Sequence, residues 1–407
     1  MQSFQLNRVP KFVSLYIFVF QLQKMQHFKF IDLFAGIGGF HIAMQSLGGE
    51  CVFASEIDRY AIDTYKTNFG INAAFDITQV SEHNVPPHDM LCAGFPCQAF
   101  SKAGKQNGFD DTRGTLFFDI LRILNHHRPK YILLENVRNL VAHDKGRTWQ
   151  VIHKNLVDLG YLIPSKPIII SPHQIGVPQL RDRVFIPGIL KDQTKEKELN
   201  IVVPKSKRNT TQSQAATNGK SSADLKITDY EEYVLKAWDE FLQGLNHRVL
   251  GFPVWAAEFG QDYNTEQLPR WKQEFIRKNR ELYQTNQPHI DRWLTKYNNL
   301  KDFVATHRKF EWQAGTSIQS VWDGIIQFRP SGIRVKRPTE FPALVAMVHV
   351  PIIGWEKRRI SAREAANLQG FPTSYKINPN KQQAYKQFGN SVNVDVVRYI
   401  AQQLFKH

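Results

Sequence analysis

Apolar positions along this chain recur with two different spacings, and the changes of spacing mark its elements. Phe28-Lys29-Phe30-Ile31-Asp32-Leu33 is an apolar run that enters a glycine turn, Phe34-Ala35-Gly36-Ile37-Gly38-Gly39. His41–Leu47 then has the spacing of a helix. Cys51–Ser55, Met90–Ala93 and Lys130–Leu134 read as further buried strands, and Leu116–Leu124 as an amphipathic helix. Over Gln179–Ile186 the period is two, which predicts a strand with Gln179, Arg181 and Arg183 on one face. Strands alternating with helices predict an α/β fold whose first strand–turn–helix is of the nucleotide-binding kind. Glu231–Leu245, Arg270–Tyr283 and Val392–Leu404 are expected helices, the last returning to the first domain and making it discontinuous.

Other stretches interrupt this pattern. Phe12–Phe20 is apolar but too short to span a bilayer, and residues 1–24 are expected to lie outside the fold, with Met25 as the functional start. Ser101–Asp111 is polar and glycine-containing and reads as a mobile loop. Lys205–Asp224 is rich in Ser, Thr, Asn, Gln and Lys and reads as a linker.

Composition narrows the partners. The 407 residues exceed one typical domain, and 42% hydrophobic content is enough for a substantial core. Lys and Arg outnumber Asp and Glu by 52 − 37 = 15, which favours a polyanion. Three cysteines, Cys51, Cys92 and Cys97, make neither a disulfide framework nor a metal-ligand spacing. No metal is expected.

The candidate chemistry sits where predicted strands end. Glu56 follows the second strand, twenty residues after Gly36, where an acid is placed to hold ribose hydroxyls. The turn reads Gly-x-Gly-Gly with no lysine after it, which disfavours a Walker-type phosphate cradle and suits a nucleoside without pyrophosphate, such as S-adenosylmethionine. Asp76 is placed to accept from an adenine amino group, or to cap a turn. Gly94-Phe95-Pro96-Cys97-Gln98 carries a thiol just past a buried strand, read either as a nucleophile or as a small buried side chain. Glu135 ends another apolar strand, where desolvation raises a carboxyl pKa and suits a proton donor; a solvent-facing loop acid is the alternative. Arg181 and Arg183 suit an anion or a planar base, or else a salt-bridged surface.

Taken together, these motifs and their order resemble the cytosine-C5 DNA methyltransferase family in its bacterial restriction-modification form. Arg363-Glu364, Leu368-Gln369-Gly370-Phe371-Pro372 and Gly389-Asn390-Ser391-Val392 complete the set, so the resemblance covers most of 25–190 and 340–407. It implies a Rossmann-like, S-adenosylmethionine-dependent methyltransferase with a mixed sheet and helices on both faces, plus a smaller target-recognition domain. The expected boundaries are 25–190 with 385–407 for the catalytic and cofactor-binding domain, and 191–384 for target recognition. The resemblance makes Cys97 the nucleophile towards cytosine C6, with Glu135 at the ring nitrogen and exocyclic amine and Arg183 with Arg181 fixing the base. It assigns the cofactor to Asp32, Phe34, Gly36, Ile37, Gly39, Glu56, Ile57, Asp76, Ile77, Pro96, Asn390 and Val392. Gln98 and Ser101, on the loop after Cys97, would close over an extruded nucleotide.

Phe328–Arg337 is the best candidate for reading bases, through Arg329, Ser331, Arg334 and Lys336, with contacts to phosphate alone as the equal alternative. Arg363-Glu364 is expected to organise the small domain. The implied partner is double-stranded DNA, and the implied setting is a monomer in the bacterial cytoplasm, off the membrane and paired functionally with a restriction endonuclease. Transfer RNA as substrate, or a DNA-binding homologue without catalysis, are the competing readings. An amino-methylating enzyme is disfavoured, because Pro86-Pro87 is followed by His88 rather than by an aromatic residue.

Overall fold

The computed structural model describes residues 27–96, 116–205, 223–246, 250–344 and 349–407. The N-terminal stretch 1–24, Cys97, Gln98, Ser101 and the loop to Asp111, and nearly all of the expected linker lie outside the described residues.

The chain opens with β1 (Phe28–Leu33), α1 (Gly39–Gln45), β2 (Gly49–Ser55), α2 (Arg59–Phe69) and β3 (Met90–Gly94). It continues through α3 (Leu116–His127), β4 (Tyr131–Val137), α4 (Arg147–Asp158), β5 (Tyr161–Leu162), β6 (Ile168–Ile170), β7 (Gln179–Leu180) and β8 (Arg183–Leu190). Seven of these strands form one sheet in the order β2-β1-β3-β4-β8-β5, with β6 also on β8. β1, β2, β3 and β4 run parallel, whereas β8 is antiparallel to β4, β5 and β6, so the sheet is mixed.

Period two sorts the strand residues between two helical layers. Phe30, Met90, Cys92 and Leu133 pack with α1, while Ile31, Leu33, Leu91, Ile132 and Leu134 pack with α3 and α4. β1 has β2 on one side and β3 on the other, so the chain changes direction there. Such a reversal opens a crevice beyond the carboxyl ends of the strands.

The middle of the chain forms a second sheet. Its helices are α5 (Asp229–Gln243), α6 (Arg270–Thr285) and α7 (Gln287–Lys296), and β9 (Val254–Trp255) lies between the first two. β10 (Lys309–Trp312), β11 (Ile325–Arg329), β12 (Gly332–Lys336), β13 (Phe341–Pro342), β14 (Ile352–Ile353) and β15 (Arg358–Arg359) follow. Six strands pair in the order β15-β14-β11-β12-β10-β9. Their core is aromatic: Trp238 of α5 stacks on Phe310 at 4.9 Å and meets Trp293 of α7 at 5.2 Å. The Trp238 and Trp293 indole N–H groups donate to the carbonyls of His307 and Ala237, so the polar edges of these buried rings are satisfied.

The chain then returns through α8 (Ala362–Leu368), α9 (Lys381–Asn390) and α10 (Val394–Leu404). Ala365, Ala366, Leu368, Phe371, Tyr375 and Ala384 belong to the same apolar cluster as β1 and α10. These residues precede the join expected at 384/385 yet share the larger sheet's cluster, as Ile325, Phe341, Leu344 and Ile353 also do.

One local expectation changes. Gln179–Ile186 is not one strand: β7 pairs with β13, β8 pairs with β4, and Arg181 and Asp182 lie between them. Glu364 lies in the first turn of α8. It forms a capping box with Ser361 and a two-pronged pair with Arg358, both bonds at 2.9 Å, and both residues are fully buried. Among the described residues, no helix is long and apolar enough to cross a membrane.

Removing one partner of a buried, hydrogen-bonded ion pair leaves the other charge desolvated, at a cost of about 3 kcal/mol or more. Glu364→Gln is expected to lower the urea midpoint accordingly at neutral pH, whereas Glu274→Gln, on the surface of α6, is expected to leave it unchanged.

Candidate active site

The crevice beyond β1, β2 and β3 is a cavity of about 470 Å³. Its walls come from both ends of the chain: the β1 turn, the ends of β2, β3 and β4, and residues 386–392 of α9 and its exit. Phe34, Gly36, Ile37, Gly39, Glu56, Ile57, Asp76, Ile77, Pro96, Asn390 and Val392 all line it, as do Glu135 and Arg183.

The turn is shaped by two glycines. Gly36 has φ +54°, and a Cβ there would meet nothing within 4 Å, so its backbone stands open to a ligand. At Gly39 a Cβ would come within 2.6 Å of the Val392 side chain, so the first turn of α1 can approach the C-terminal wall only without one.

Glu56 organises this end of the cavity. One carboxylate oxygen accepts from the Gly36 N–H at 2.8 Å, and the other accepts from the N–H groups of Ile57 and Asp58, both at 2.8 Å. Asp58 then caps α2 through Tyr60 and Ala61 and pairs with Lys386 at 2.8 Å. Burial raises the Asp58 pKa, but the Lys386 bond and the capping amides outweigh it and hold the carboxyl below its usual range. Asp76 accepts from the Thr78 N–H and hydroxyl while also facing the cavity, so its capping and ligand-facing readings coexist.

At the opposite end, β4 delivers Glu135 beside Gly94. The Arg183 Nε lies 3.1 Å from its carboxylate. Burial raises the Glu135 pKa, and Arg183 and then Arg181 oppose the rise without cancelling it. Asn136 donates to the Phe95 carbonyl at 2.9 Å and accepts from the Val137 N–H at 2.8 Å. It thereby fixes the backbone that leads through Pro96 to Cys97. Among the described residues, no group of three His, Cys, Asp or Glu side chains is arranged to hold a metal.

Two site expectations are corrected. Asp32 lies fully buried within β1 and forms no part of the cavity wall. Desolvation raises its pKa well above the ordinary value, against a lowering backbone hydrogen bond at His41 and with a smaller push from Glu56. Arg181 does not face the cavity either. Its guanidinium donates to the carbonyls of Leu344 at 2.7 Å, Gly389 at 2.9 Å and Ser391 at 2.8 Å. Because the chain leaves the strand after Leu180, Arg181 turns inward while Arg183 turns to the cavity, and period two misassigns the pair. Arg181 is a positioning residue.

The cavity also contains residues that the motif reading passed over. Ser55, Asp58, Phe75, Lys386, Gln387 and Ser391 line it. The Ser55 hydroxyl is buried and has no hydrogen-bond partner among the described residues. Asp58 was legible as an N-cap ahead of a helical run; Lys386 and Gln387 precede the Gly389–Val392 motif on one helix, with no local signal of their own.

The expected base-reading residues sit on the β11–β12 hairpin. Ser331 is at its exposed tip, while Arg329 and Arg334 share the Glu311 carboxylate, Arg334 through Nε at 3.0 Å. Lys336 is half-buried, and desolvation lowers its pKa.

Comparison with known proteins places these features. The family model described as C-5 cytosine-specific DNA methylase matches residues 28–406. "Type II methyltransferase M.AluI" of Cellulosimicrobium cellulans is 34% identical, with 92% of this chain and 91% of that protein covered. "Type II methyltransferase M.HhaI" of Haemophilus parahaemolyticus is also 34% identical, over 92% and 93% of the two chains. Part of the chain, 41% of it, is 55% identical to "Type II methyltransferase M.HpaII" of Haemophilus parainfluenzae, covering 47% of that protein. Among solved structures, a mutant Spodoptera frugiperda DNMT2 superposes with a TM-score of 0.54 at 20% identity, over 93% of this chain and all of the other. That likeness concerns the fold.

The two arginines separate by what their loss exposes. Arg181→Met leaves three buried carbonyls without donors and is expected to cost about 3 kcal/mol or more of stability. Arg183→Met leaves Glu135 free to take a proton and is expected to cost about 1 kcal/mol or less. Urea unfolding of the two variants side by side checks the contrast.

Proposed function

The chain belongs to the C-5 cytosine-specific DNA methylase family, and from that premise we propose that it methylates C5 of cytosine at a defined sequence in double-stranded DNA. The observation that carries the reading is the pairing of Glu135 with Arg183 at one end of a cavity whose other end is built around Glu56. We further propose that the protein acts in the cytoplasm, as a monomer, and protects DNA from a partner endonuclease.

The methyl donor of this family, S-adenosylmethionine, fits the residues present. The open backbone at Gly36, the unpartnered Ser55 hydroxyl and the carboxylates of Glu56 and Asp76 suit a polar nucleoside. Phe34, Ile57 and Phe75 offer apolar walls for a base. When bound, it supplies an electrophilic methyl group on a sulfonium. Glu56 would hold the ribose and Asp76 the adenine amine, with Pro96, Asn390 and Val392 closing the remainder.

This chain's own residues supply the activation. Cys97 follows directly on Pro96, whose approach Asn136 fixes. Its thiolate would add to C6, forming an S–C6 bond and moving the ring electrons towards C5. Glu135, whose pKa burial raises, would donate to the ring nitrogen, while Arg183 steadies that carboxyl and the base. After C5 has gained its methyl group, loss of the C5 proton to a base re-forms the double bond and expels the thiolate. A cytosine within a duplex cannot reach these groups, so the base must leave the stack, at about a few kcal/mol; Gln98 and Ser101 would close over it.

Three outcomes are expected. Cys97→Ser abolishes turnover but retains S-adenosylmethionine binding by calorimetry. Duplex carrying 5-fluorocytosine at the target forms a denaturant-resistant adduct with wild type and none with Cys97→Ser. Because the Glu135 pKa is raised, its protonated form persists above the usual carboxylate range, and kcat/KM falls as pH rises through that value. Arg183 lowers this pKa, so Arg183→Met should move the falling limb to higher pH while reducing the maximum.

A further inference from the structure

Over β10, β12 and the Arg329 end of β11 the smaller sheet has one apolar face and one charged face, while Ile325 and Gln327 on that second face are buried. Phe310, Ile326, Ile333 and Val335 point into the aromatic core. On the opposite face, cross-strand register sets Lys309 against Trp255, Glu311 against Arg334, and Arg334 against Gln327. Arg329 and Lys336 lie on the same face two residues along. The face thus carries four cations, Lys309, Arg329, Arg334 and Lys336, against the carboxylate of Glu311, which two of them share.

This charged face continues into an aromatic ladder. The Lys309 ammonium lies 5.9 Å from the centre of the Trp255 ring. Trp255 meets Phe275 at 5.7 Å, and Phe275 meets Trp271 at 6.0 Å, both edge to face. Trp271 is 60% exposed and stands between Arg270 and Lys272 on α6. The hairpin is packed tightly against the start of this ladder, since a Cβ at Gly332 would come within 2.8 Å of Lys309.

The other end of the face leads to the active site. β12 ends at Lys336, and five residues later Phe341 pairs with Gln179, close in sequence to Arg181 and Arg183. Five residues span at most about 17 Å. The cations therefore form a series running from near the base-handling arginine to an exposed indole at the far edge of the smaller unit.

We propose that this face is a DNA track reaching beyond the target sequence, with Lys309 and Trp271 contacting the sugar-phosphate backbone of flanking duplex. The inference rests on duplex DNA being the substrate. Charge complementarity selects the occupant. A phosphate backbone meets separated cations at any sequence, whereas an apolar protein surface would leave these charges desolvated and unpaired. Part-exposed indole rings beside cations offer flat apolar surface to deoxyribose without competing for phosphate. Arg329 and Arg334 are both tied to Glu311, so Lys309 can be varied apart from them.

The test uses the full chain and two duplexes carrying the target, mapped by sequencing DNA from an expressing host. One holds the target and little else; the other extends by about one helical turn, ~10 base pairs, on each side. Wild type should bind the longer duplex more tightly, by about tenfold at low salt. Trp271→Ala with Lys309→Ala should match wild type on the short duplex, in affinity and kcat, and lose most of that gain on the long one. Its salt slope on the long duplex should be smaller by about one. Lys309→Glu alone should reproduce the length-selective loss. Equal affinity of variant and wild type for the long duplex, or an equal loss on both duplexes, would overturn the proposal. So would a wild-type dimer that Trp271→Ala dissociates, which would make the face a self-association surface. Failure of wild type to methylate any duplex would instead remove the reading beneath it.

Discussion

A single buried guanidinium holds the active site of this protein together. The cavity is assembled from residues 34–40, 55–61, 75–77, 94–96 and 135–137 on one side and 386–392 on the other. Nothing in chain order brings these together. Arg181 does so by donating to carbonyls on both sides of Asn390 and to Leu344. Three neutral acceptors around a desolvated cation make a directional joint, because a guanidinium presents its donors in a fixed plane. The apolar cluster shared by β1, α8 and α10 supplies adhesion across the same boundary, but adhesion alone does not set register. The Arg181 bonds set it, supported by the Tyr375 hydroxyl on the Ile37 carbonyl and by Lys386 on Asp58.

The parts of this arrangement that the sequence made legible are those dictated by local chemistry. The β1 turn needs Gly36 and Gly39, and Glu56 follows β2 because a carboxylate there can satisfy the turn's amides. Glu135 stands at the end of an apolar strand, and its burial raises its pKa in the direction that position implies. What local chemistry could not give was orientation. Arg181 and Arg183 are two apart and looked equivalent, yet the strand break between β7 and β8 turns one into the core and the other to the cavity. Asp32 belongs to the β1 turn motif, but alternation with Ile31 and Leu33 puts its side chain under α1, in the layer of Phe30. Period two alone contains that placement.

Arg329 and Arg334 have a partner that their own stretch of sequence does not show. Their types and spacing suit base edges, but Glu311 lies across from Arg334 on a parallel neighbour eighteen residues before Arg329. A carboxylate that distant in sequence is invisible to a local reading. Its effect is to fix two long side chains that would otherwise lose conformational freedom on meeting a ligand. The shared carboxylate also lowers the net charge of the hairpin without removing it, so two guanidiniums remain oriented on a face that is still cationic.

The electrostatics of the two ends of the cavity follow from how each acid is satisfied. Glu56 accepts from three backbone amides, which fix both of its carboxylate oxygens. Glu135 has one guanidinium edge and a desolvated surround, and burial raises its pKa. Two carboxylates in one cavity are thus driven towards opposite roles, one as a fixed acceptor and one as a donor. This separation depends on Arg181 as well. By ordering the Gly389–Ser391 backbone it closes the C-terminal wall, and by lying behind Arg183 it adds a second, more distant cation to the field at Glu135. A smaller charge in its place would loosen the wall and raise the Glu135 pKa together, so the geometry of the cavity and the proton affinity of its acid are set by the same buried group.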